Sequence, residues 1–403
     1  MSILILNRSP HSLCPYEKFL KPLNEKLILL TANKVAPQFQ NLGYDHIESF
    51  ENYETNGLVE LRAIELFEQY RFHTIIAIAE VDLIRAARLR ERFHLKGQHI
   101  SSAIDFRDKV RMKKLAQQAD IPTPPITRIE QPIDIIQFTK VHGYPIIIKP
   151  VDGVGSKDTY ILHNHQDLAR FLQQGIPSSY VAESFIKGEI CHVDGMIIDH
   201  QIQFICASKY INNPLCYNEK GYLGSYILHP QNPLSQRLLR ETEKVLQHFQ
   251  LPPTTTFHAE WFHTPSDQLV FCEIASRTGG GKIIQTVSHA FGVDLFQAFV
   301  EPQCNIPYLS TINREIQGPK QMTGWIKIPP KQGIFQWKAQ EDLPEWVIEF
   351  ELLGKIGKSY DSPNGIGPYI AAFVVKGDSE NDVTQKLINI AEWFHQSTKW
   401  VSF

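Results

Sequence analysis

The feature that most constrains this chain is the stretch from Glu260 to Gly281, which has the pattern of a β-hairpin. Its residues 265–268, Pro-Ser-Asp-Gln, have turn chemistry, and apolar and aromatic runs flank them on both sides. A symmetric turn at that point places Glu260 directly opposite Glu273, and both carboxylates point to one face because side chains alternate along a strand. Like charges in opposite positions of a ladder repel each other. The hairpin therefore predicts a bound cation, and Mg²⁺ is the usual hard cation for a carboxylate pair.

An anion-binding segment follows the hairpin. Arg277 comes two residues after the second predicted strand, and a run of three glycines, 279–281, lies just beyond it. An arginine offers a fork of donors to an anion, and the backbone N–H groups of small residues can approach a ligand closely. The sequence therefore predicts an anion-handling loop beside the cation site.

Length and composition limit the class of protein. With 403 residues the chain exceeds the size of one hydrophobic core, which predicts two or three domains. A formal net charge of −3 argues against nucleic acid or an anionic membrane as a partner. The six cysteines have no Cys-x-x-Cys spacing, which is typical of reduced thiols in a cytosolic protein. Because the chain begins directly with a strand pattern and shows no secretion signal or membrane span, we expect a cytoplasmic protein, with a homodimer as the default assembly.

The first hundred residues alternate short apolar runs with amphipathic stretches, which predicts a βαβ series and a parallel sheet. The predicted strands are Ile3–Leu6, Lys26–Thr31, His46–Phe50, Thr74–Glu80 and His99–Ser101. Since no Gly-x-Gly-x-x-Gly turn follows the first strand, a dinucleotide-binding domain is disfavoured. Glu80 ends its strand at the edge where ligands bind in open α/β sheets, although a helix-start carboxylate is an equally good interpretation.

Three further segments carry candidate binding groups. Residues 105–120 predict one basic amphipathic helix whose charges mostly face solvent, with Lys109 as the exception. Lys149 ends a strand that enters the small-residue loop 152–158, which can close over phosphates, although such a loop is more often only a turn. The strand that begins at Tyr180 bends before Glu189, where a connector can offer backbone groups to an adenine edge and a carboxylate can accept from ribose hydroxyls.

Taken in this order, the segments resemble the ATP-grasp superfamily. The matching features are Asp108-Lys109 before a Pro-rich step, the Lys149 strand with its loop, the hinge Glu183–Ile186 followed by Glu189, and the acidic hairpin with Glu273 and Arg277. The match covers roughly residues 100 to 300, and its collinearity makes it far more specific than any one motif. Within the superfamily the chain is most similar to carboxylate–amine ligases, especially the L-amino-acid ligases that make dipeptides.

The resemblance implies ATP and Mg²⁺ or Mn²⁺ as cofactors, with amino acids or other small carboxylates and amines as substrates. The implied ATP-binding residues are Lys109, Lys149, Ser156, Glu183, Ser184, Phe185, Ile186, Glu189 and Lys209. The implied metal ligands are Glu260 and Glu273. The implied catalytic residues are Arg277, Lys149 and Lys209, and the substrate contacts are Glu80, Ser276, Arg277, Gly280 and Gly281. For Lys209, a strand-end lysine in solvent is an equally good interpretation.

The implied fold is α/β. An N-terminal parallel α/β domain precedes an ATP-grasp fold, in which two α+β subdomains sandwich ATP, and a small C-terminal α+β subdomain follows. The predicted boundaries are 1–104 for the N-terminal domain, 105–186 for the central domain with its lid, 187–317 for the catalytic core and 318–403 for the C-terminal subdomain.

One position departs from the superfamily pattern. Its members usually carry a metal-binding asparagine where this chain has Ala275, and alanine cannot coordinate a metal. The hairpin register places His258 across from Ala275, but a strand histidine is more often structural than a ligand. We therefore leave His258 outside the predicted site.

Three functions stay open at this point. The leading one is an ADP-forming ligase that joins the carboxylate of one amino acid to the amine of another through an acyl phosphate. A second uses another acceptor, such as a carrier-protein thiol or a different amine. A third is a nucleotide-binding regulatory protein without turnover, which Ala275 favours and the retained lysines, glutamates and Arg277 argue against.

Overall fold

The computed structural model describes residues 1–176, 178–308, 318–338, 343–363 and 365–401. Its first sheet is parallel, as the sequence predicts, and has the strand order β3-β2-β1-β4. The strands are β1 (Ser2–Asn7), β2 (Lys26–Ala32), β3 (His46–Phe50) and β4 (Thr74–Ala77). The α-helices of this region are α1 (Tyr16–Phe19), α2 (Leu58–Tyr70), α3 (Leu83–Phe93) and α4 (Ile100–Asp105).

Two sequence-based predictions are wrong in this region. The segment His99–Ser101 is not a fifth strand, because His99 is the N-cap of α4. The basic segment 105–120 is not one helix either, since α4 ends at Asp105 and a new helix, α5 (Lys109–Gln118), begins after Asp108. The Asp108 carboxylate accepts hydrogen bonds from the first backbone N–H groups of α5, which is how an aspartate N-cap starts a helix.

The second sheet is antiparallel, with strand order β5-β8-β6-β7. Its strands are β5 (Ile126–Ile129), β6 (Ile146–Pro150), β7 (Tyr160–Leu162) and β8 (Tyr180–Ser184). Helices α6 (Pro132–His142) and α7 (His165–Gln173) bury Ile135 and Phe171, respectively, in the core of this sheet. The loop between β6 and β7 is the predicted small-residue loop, so its position at a strand end is confirmed.

The largest sheet has eight strands in the order β13-β12-β9-β10-β11-β14-β18-β16, and a three-stranded sheet has the order β17-β15-β19. The strands are β9 (Glu189–Ile198), β10 (Gln201–Tyr210), β11 (Leu223–Ile227), β12 (Thr254–His263), β13 (Leu269–Ala275), β14 (Met322–Ile328), β15 (Gly333–Trp337), β16 (Val347–Leu352), β17 (Ser359–Tyr360), β18 (Ala371–Gly377) and β19 (Thr398–Val401). The accompanying helices are α8 (Tyr217–Lys220), α9 (Pro233–Leu246), α10 (Ile283–Phe291), α11 (Leu295–Val300) and α12 (Glu380–Ser397).

Two hydrophobic cores lie on the large sheet. Leu238 and Val245 of α9 belong to one core, and α10, α11 and α12 supply residues to the other. The sheet also crosses the predicted boundary at 317/318, because β14 pairs with β11 and β18 pairs with β14. Residues 309–317 lie outside the described part of the chain, and the predicted domain limits stay predictions.

Within the described residues, no single helix is long and apolar enough to cross a membrane. The segments Ile283–Phe291 and Leu295–Cys304 reach that length and composition only together, as a pair bent by 100°. Cys14, Cys191, Cys206, Cys272 and Cys304 are buried and free.

Candidate active site

Nine of the predicted site residues line one cleft between the antiparallel sheet and the β9, β12 and β13 strands of the large sheet. The cleft contains about 770 Å³ of empty space, including the part that is open to solvent. The nine residues are Lys109, Lys149, Ser156, Glu183, Ser184, Phe185, Ile186, Glu260 and Glu273. The structure therefore brings together groups that the sequence spreads from α5 to β13.

The two glutamates face each other as predicted. In the β12/β13 ladder Glu260 pairs with Glu273, and His258 pairs with Ala275. The register shifts between Glu260 and Trp261. The residues nearest the turn therefore pair one position away from the predicted register. This bulge lies between the turn and the acidic pair. The turn is therefore not the symmetric one expected, although the carboxylates have the predicted register.

Lys109 is the cation nearest to the second glutamate. Its Nζ lies 3.2 Å from Glu273 Oε2 and donates a hydrogen bond of 2.9 Å to the carbonyl oxygen of Gly153. Burial raises the pKa of Glu273, but the charges of Lys109 and Lys149 lower it by more than burial raises it, and the net pKa is about 2. The carboxylate is therefore ionised at neutral pH. Because Lys109 is the first residue of α5 and donates to Gly153, it also links this helix to the loop after β6.

Glu183 holds two lysines at the floor of the cleft. Its Oε2 lies 2.6 Å from Lys113 Nζ and 3.1 Å from Lys149 Nζ. Burial raises the pKa of Glu183, but the two lysines lower it more, and the net pKa is below the ordinary value. For Lys149, burial lowers the pKa and Glu183 raises it, with a net increase. The Glu183 side chain is therefore occupied by Lys113 and Lys149. The adenine contact expected of residues 184–186 stays a prediction.

The sequence-based prediction did not include Lys113 in the site. The expectation that the charges of this helix face solvent is right for Arg111 and Lys114 but wrong for Arg107 and Lys113, which are buried. A signal was present, because Lys113 lies four residues after Lys109 and therefore on the same face of α5. That face packs on β13, and Lys113 is stable there because Glu183 neutralises it.

Arg277 is held by Glu80, a residue far away in the sequence. Its Nε and Nη2 donate to Glu80 Oε2 at 2.8 and 2.6 Å, and its Nη1 donates to the carbonyl oxygen of Thr278 at 2.8 Å. The other oxygen of Glu80 accepts from Arg107. Burial raises the pKa of Glu80, but Arg277 and Arg107 lower it, and the net pKa is below the ordinary value. The prediction that Glu80 ends its strand is wrong, because β4 ends at Ala77 and Glu80 is the first residue of a short 3-10 helix, Glu80–Asp82. Both of its carboxylate oxygens are occupied by arginines.

A sequence profile of the ATP-grasp domain matches residues 106–281, the segment that supplies all nine cleft residues. The chain contains an ATP-grasp domain. It is 24% identical over 410 aligned residues to the L-arginine-specific L-amino acid ligase of Bacillus subtilis, with 98% of this chain and 97% of that protein covered. These comparisons confirm the resemblance inferred from the motifs.

Solved structures show the same fold. An L-amino acid ligase from Bacillus licheniformis superimposes with a TM-score of 0.80 at 15% identity, covering 100% of this chain and 98% of that one. The biotin carboxylase domain of 2-oxoglutarate carboxylase from Hydrogenobacter thermophilus has a TM-score of 0.66 at 14% identity, covering 99% of this chain and 90% of that one. That domain was solved with MgADP and bicarbonate. The predicted α/β architecture with an ATP-grasp fold is therefore confirmed.

The acidic pair of this ATP-grasp domain fits a hard divalent cation. Glu260 and Glu273 present their carboxylates to one cleft from adjacent strands, and both line it. Carboxylate oxygens are the ligands that Mg²⁺ and Mn²⁺ prefer. Glu260 also accepts a hydrogen bond of 3.3 Å from the Tyr210 hydroxyl, which restrains its side chain.

Several predicted residues lie outside the cleft lining of the ATP-grasp domain. Glu189 and Lys209 form an ion pair of 2.8 Å with each other, on β9 and β10. Ser276 is fully buried, and its hydroxyl exchanges hydrogen bonds of 3.0 and 3.1 Å with the amide of Gln98. Against the prediction, Ser276 has no surface left for a substrate.

The glycines after Arg277 have different surroundings. Gly280 is exposed, and a Cβ added there would meet nothing within 4 Å, so a ligand can approach its backbone. Gly281 has a φ of +69°, and a Cβ there would come within 2.6 Å of the Trp325 ring. Gly280 is therefore open to a substrate as predicted, whereas Gly281 is needed for the turn and for packing.

His258, which sequence reasoning left out, lies beside the acidic pair. Its Nδ1 is 2.8 Å from Asp194 Oδ1, and its Nε2 is 3.5 Å from Glu260 Oε1. Asp194 is fully buried, and its second oxygen is 2.5 Å from His192 Nδ1. Burial lowers the pKa of His258, but Asp194 raises it more, to about 9. A signal was available, because His258 precedes Glu260 by two residues and therefore shares its face of β12.

Proposed function

We propose that this protein is an ATP-dependent, ADP-forming carboxylate–amine ligase that joins two amino acids through an acyl-phosphate intermediate. The observation that carries the proposal is the placement of Glu260, Glu273, Lys109 and Lys149 around one cleft in an ATP-grasp fold. The similarity to L-amino acid ligases over nearly the full length supports the choice of amino acids as substrates.

In the first step, an oxygen of the substrate carboxylate attacks the γ-phosphorus of ATP. The new O–P bond forms as the bond between the γ-phosphorus and the β,γ-bridging oxygen breaks, and ADP leaves. Lys109 and Lys149 are placed to neutralise charge on the transferring group, a contribution typical of phosphoryl transfer. Glu260 and Glu273 would hold Mg²⁺, which supplies Lewis-acid stabilisation of the phosphate oxygens when bound.

The acyl phosphate must be kept from water until the amine arrives. Ser156 and the neighbouring residues of the 152–158 loop line the cleft, and Gly155 and Ser156 have left-handed backbone angles, with φ of 63° and 56°. Such a loop can turn several N–H groups toward phosphates and close over them. The Gly155 carbonyl accepts a hydrogen bond of 3.1 Å from Ile366 N–H, so the C-terminal region supports the loop.

In the second step, the nitrogen of the neutral amine attacks the acyl carbon. The C–N bond forms, the C–O bond to phosphate breaks, phosphate leaves with that electron pair, and the nitrogen loses a proton. Arg277, fixed by Glu80, and the backbone N–H of the exposed Gly280 are the groups that we assign to the developing oxyanion.

The test is an ADP-release assay of the purified chain with ATP, Mg²⁺ and pairs from an amino-acid panel that includes L-arginine. We expect ADP release to require an amino acid and to equal dipeptide formation measured by mass spectrometry. Hydroxylamine should replace the amine and yield the hydroxamate of the first amino acid, because it traps the acyl phosphate. A panel in which no amino acid stimulates ATP consumption would overturn the proposal.

The same assay separates the other two functions. A protein that loads a carrier thiol would form the hydroxamate but no dipeptide. A regulatory protein would bind ATP and release no ADP under any condition. The homodimer and the cytoplasmic location stay predictions.

A further inference from the structure

Lys327 on β14 is a buried cation whose charge is not balanced by a carboxylate of the described residues. Its side chain is 5% exposed, and its Nζ donates to the carbonyl oxygen of Ile366 and lies 5.4 Å from the centre of the Tyr217 ring. The other buried lysines of the described chain each form an ion pair with a glutamate, and they are Lys109, Lys113 and Lys282. An uncompensated buried charge is unfavourable. Lys327 is therefore suited to an anionic ligand.

Trp325 supplies a second donor beside Lys327. It precedes Lys327 by two residues on β14, so both side chains lie on the same face of the strand. Trp325 is 2% exposed, and in the part of the chain that the structure describes its indole N–H has no acceptor. Lys327 Nζ lies 5.9 Å from the centre of the indole ring. A carboxylate only accepts hydrogen bonds and has two oxygens, so one carboxylate could serve both donors.

Trp325 lies next to the groups assigned to the reaction. Its ring packs so closely on Gly281 that a Cβ added to this glycine would come within 2.6 Å of it. Gly280 and Gly281 are exposed, so the glycine turn is accessible. On another side, the Trp325 ring is 6.4 Å from the ring of Tyr210, whose hydroxyl donates to Glu260. The indole thus connects the glycine turn with the acidic pair.

Lys327 is connected to the phosphate loop. Ile366, whose carbonyl oxygen accepts from Lys327, donates its own N–H to the carbonyl oxygen of Gly155 at 3.1 Å. Gly155 belongs to the loop 152–158 that lines the cleft. The two donors of β14 are therefore placed between the phosphate loop and the glycine turn, where the acyl phosphate of the proposed reaction would be formed and attacked.

The proposed reaction includes one carboxylate that is never activated. The first amino acid enters the acyl phosphate through its carboxylate, whereas the second brings its amine and keeps a free carboxylate. That carboxylate must lie close to the acyl carbon, because only the α-carbon separates it from the attacking nitrogen. We infer that the Lys327 ammonium and the Trp325 indole N–H bind the free carboxylate of the second amino acid. The inference rests on the proposed function, since it names the binding group for the second substrate of that reaction.

The test compares second substrates that have and lack this carboxylate. With the first amino acid held constant, each amino acid of the panel is offered to the full-length protein as the free acid and as its primary amide. The assay is run at pH 7, where the Lys327 ammonium is charged because burial lowers its pKa only to about 8. Product formation, measured by mass spectrometry, gives the ratio of kcat/KM for the acid to kcat/KM for the amide. Comparing this ratio between wild type and variants removes the difference in basicity between the two amines.

Lys327→Met removes the charge and keeps an unbranched side chain. We expect the acid-to-amide ratio to fall at least about tenfold, because a site built to bind a polar group discriminates strongly against an analogue that lacks it. Hydroxamate formation with hydroxylamine should keep its wild-type rate, since hydroxylamine has no carboxylate. Lys327→Arg retains the charge and should keep most of the ratio. Trp325→Phe removes the indole N–H but keeps an aromatic ring, and it should lower the ratio less.

Lys376→Met is the matched control, because Lys376 is an exposed lysine of the neighbouring strand β18. Its acid-to-amide ratio should equal that of the wild type. A ratio that is unchanged in Lys327→Met, or in Trp325→Phe if the first variant does not fold, would overturn the inference. Loss of the hydroxamate from folded Lys327→Met would place Lys327 in the first step, which overturns the inference and leaves the proposed function standing. A wild-type protein that forms no hydroxamate with any amino acid would overturn the proposed function itself.

Discussion

Lys113 Nζ lies 2.6 Å from Glu183 Oε2, and Lys149 Nζ approaches the same oxygen at 3.1 Å. Two cations therefore share one carboxylate, so the three side chains together keep one net positive charge. Lys113 is fully enclosed, whereas Lys149 lines the cleft. The geometry lets Lys149 face an anionic ligand while Lys113 keeps Glu183 in place.

Replacing Glu183 should destabilise the protein. Glu183→Gln leaves Lys113 buried without a counter-charge, and breaking a buried pair from one side costs about 3 to 5 kcal/mol. We expect a clear loss in urea midpoint followed by circular dichroism, with Glu130→Gln, an exposed glutamate of the same region, as the control. The combined variant Lys113→Met/Glu183→Gln should recover part of the loss. A change below about 1 kcal/mol in Glu183→Gln would show that the pair is not needed for folding.

Replacing Glu273 should abolish turnover without unfolding the protein. Glu273→Ala removes one of the two carboxylates assigned to the metal, so ADP release should fall to background while the circular dichroism spectrum is unchanged. Asp267→Asn, on the exposed turn of the same hairpin, is the control and should keep wild-type activity. Near-normal ADP release from Glu273→Ala would contradict the assignment of Glu273 as a metal ligand.

Replacing Arg277 should affect the acyl-transfer step more than nucleotide binding. Arg277 is not among the residues that line the cleft, and Glu80 holds it near the exposed Gly280. We expect Arg277→Met to lower kcat for dipeptide formation on the order of 10²-fold, the usual effect of losing one oxyanion donor. The Kd for ADP, measured by calorimetry, should change little. A large loss of ADP affinity would instead place Arg277 in the nucleotide site.

Two of the three lysines predicted to bind ATP, Lys149 and Lys209, should behave differently. Lys149 lines the cleft, whereas Lys209 is paired with Glu189 outside its lining. We expect Lys149→Met to raise the KM for ATP by at least about tenfold, which corresponds to about 1.4 kcal/mol. Lys209→Met should change KM less. Equal effects would mean that the substrate-bound state brings Lys209 to the phosphates.

Lys327 should make stability depend on pH. Burial lowers the pKa of Lys327 from 10.5 to about 8, and its Nζ donates to the carbonyl of Ile366. Between these pH values the unfolded chain binds more protons than the folded one, so the free energy of unfolding rises with pH, by about 3 kcal/mol in total. The urea midpoint should be measured for wild type and Lys327→Met at pH 8 and at pH 10.5. The wild-type midpoint should rise relative to that of the variant, so that the two converge or cross at pH 10.5. Parallel pH curves for the two proteins would contradict it.

Some of this molecule could be predicted from local patterns. The parallel sheet, the loop after β6 and the facing of Glu260 and Glu273 follow from the alternation of side chains and from turn residues, which act over a few positions. The acidic pair keeps the predicted register because the bulge between Glu260 and Trp261 offsets the one-residue shift of the pairs next to the turn.

By itself, the sequence determined the parallel sheet, the acidic hairpin and the order of the charged residues along the chain, because periodicity and turn chemistry are local. Only the tertiary structure decided how those charges are used. Glu80 meets Arg277 across 197 residues, Lys113 is buried against Glu183, and His258 is oriented by Asp194 of a neighbouring strand. Such partnerships depend on which strands and helices pack together. The free-energy cost of burying a charge is offset only where packing brings a distant residue of opposite charge next to it.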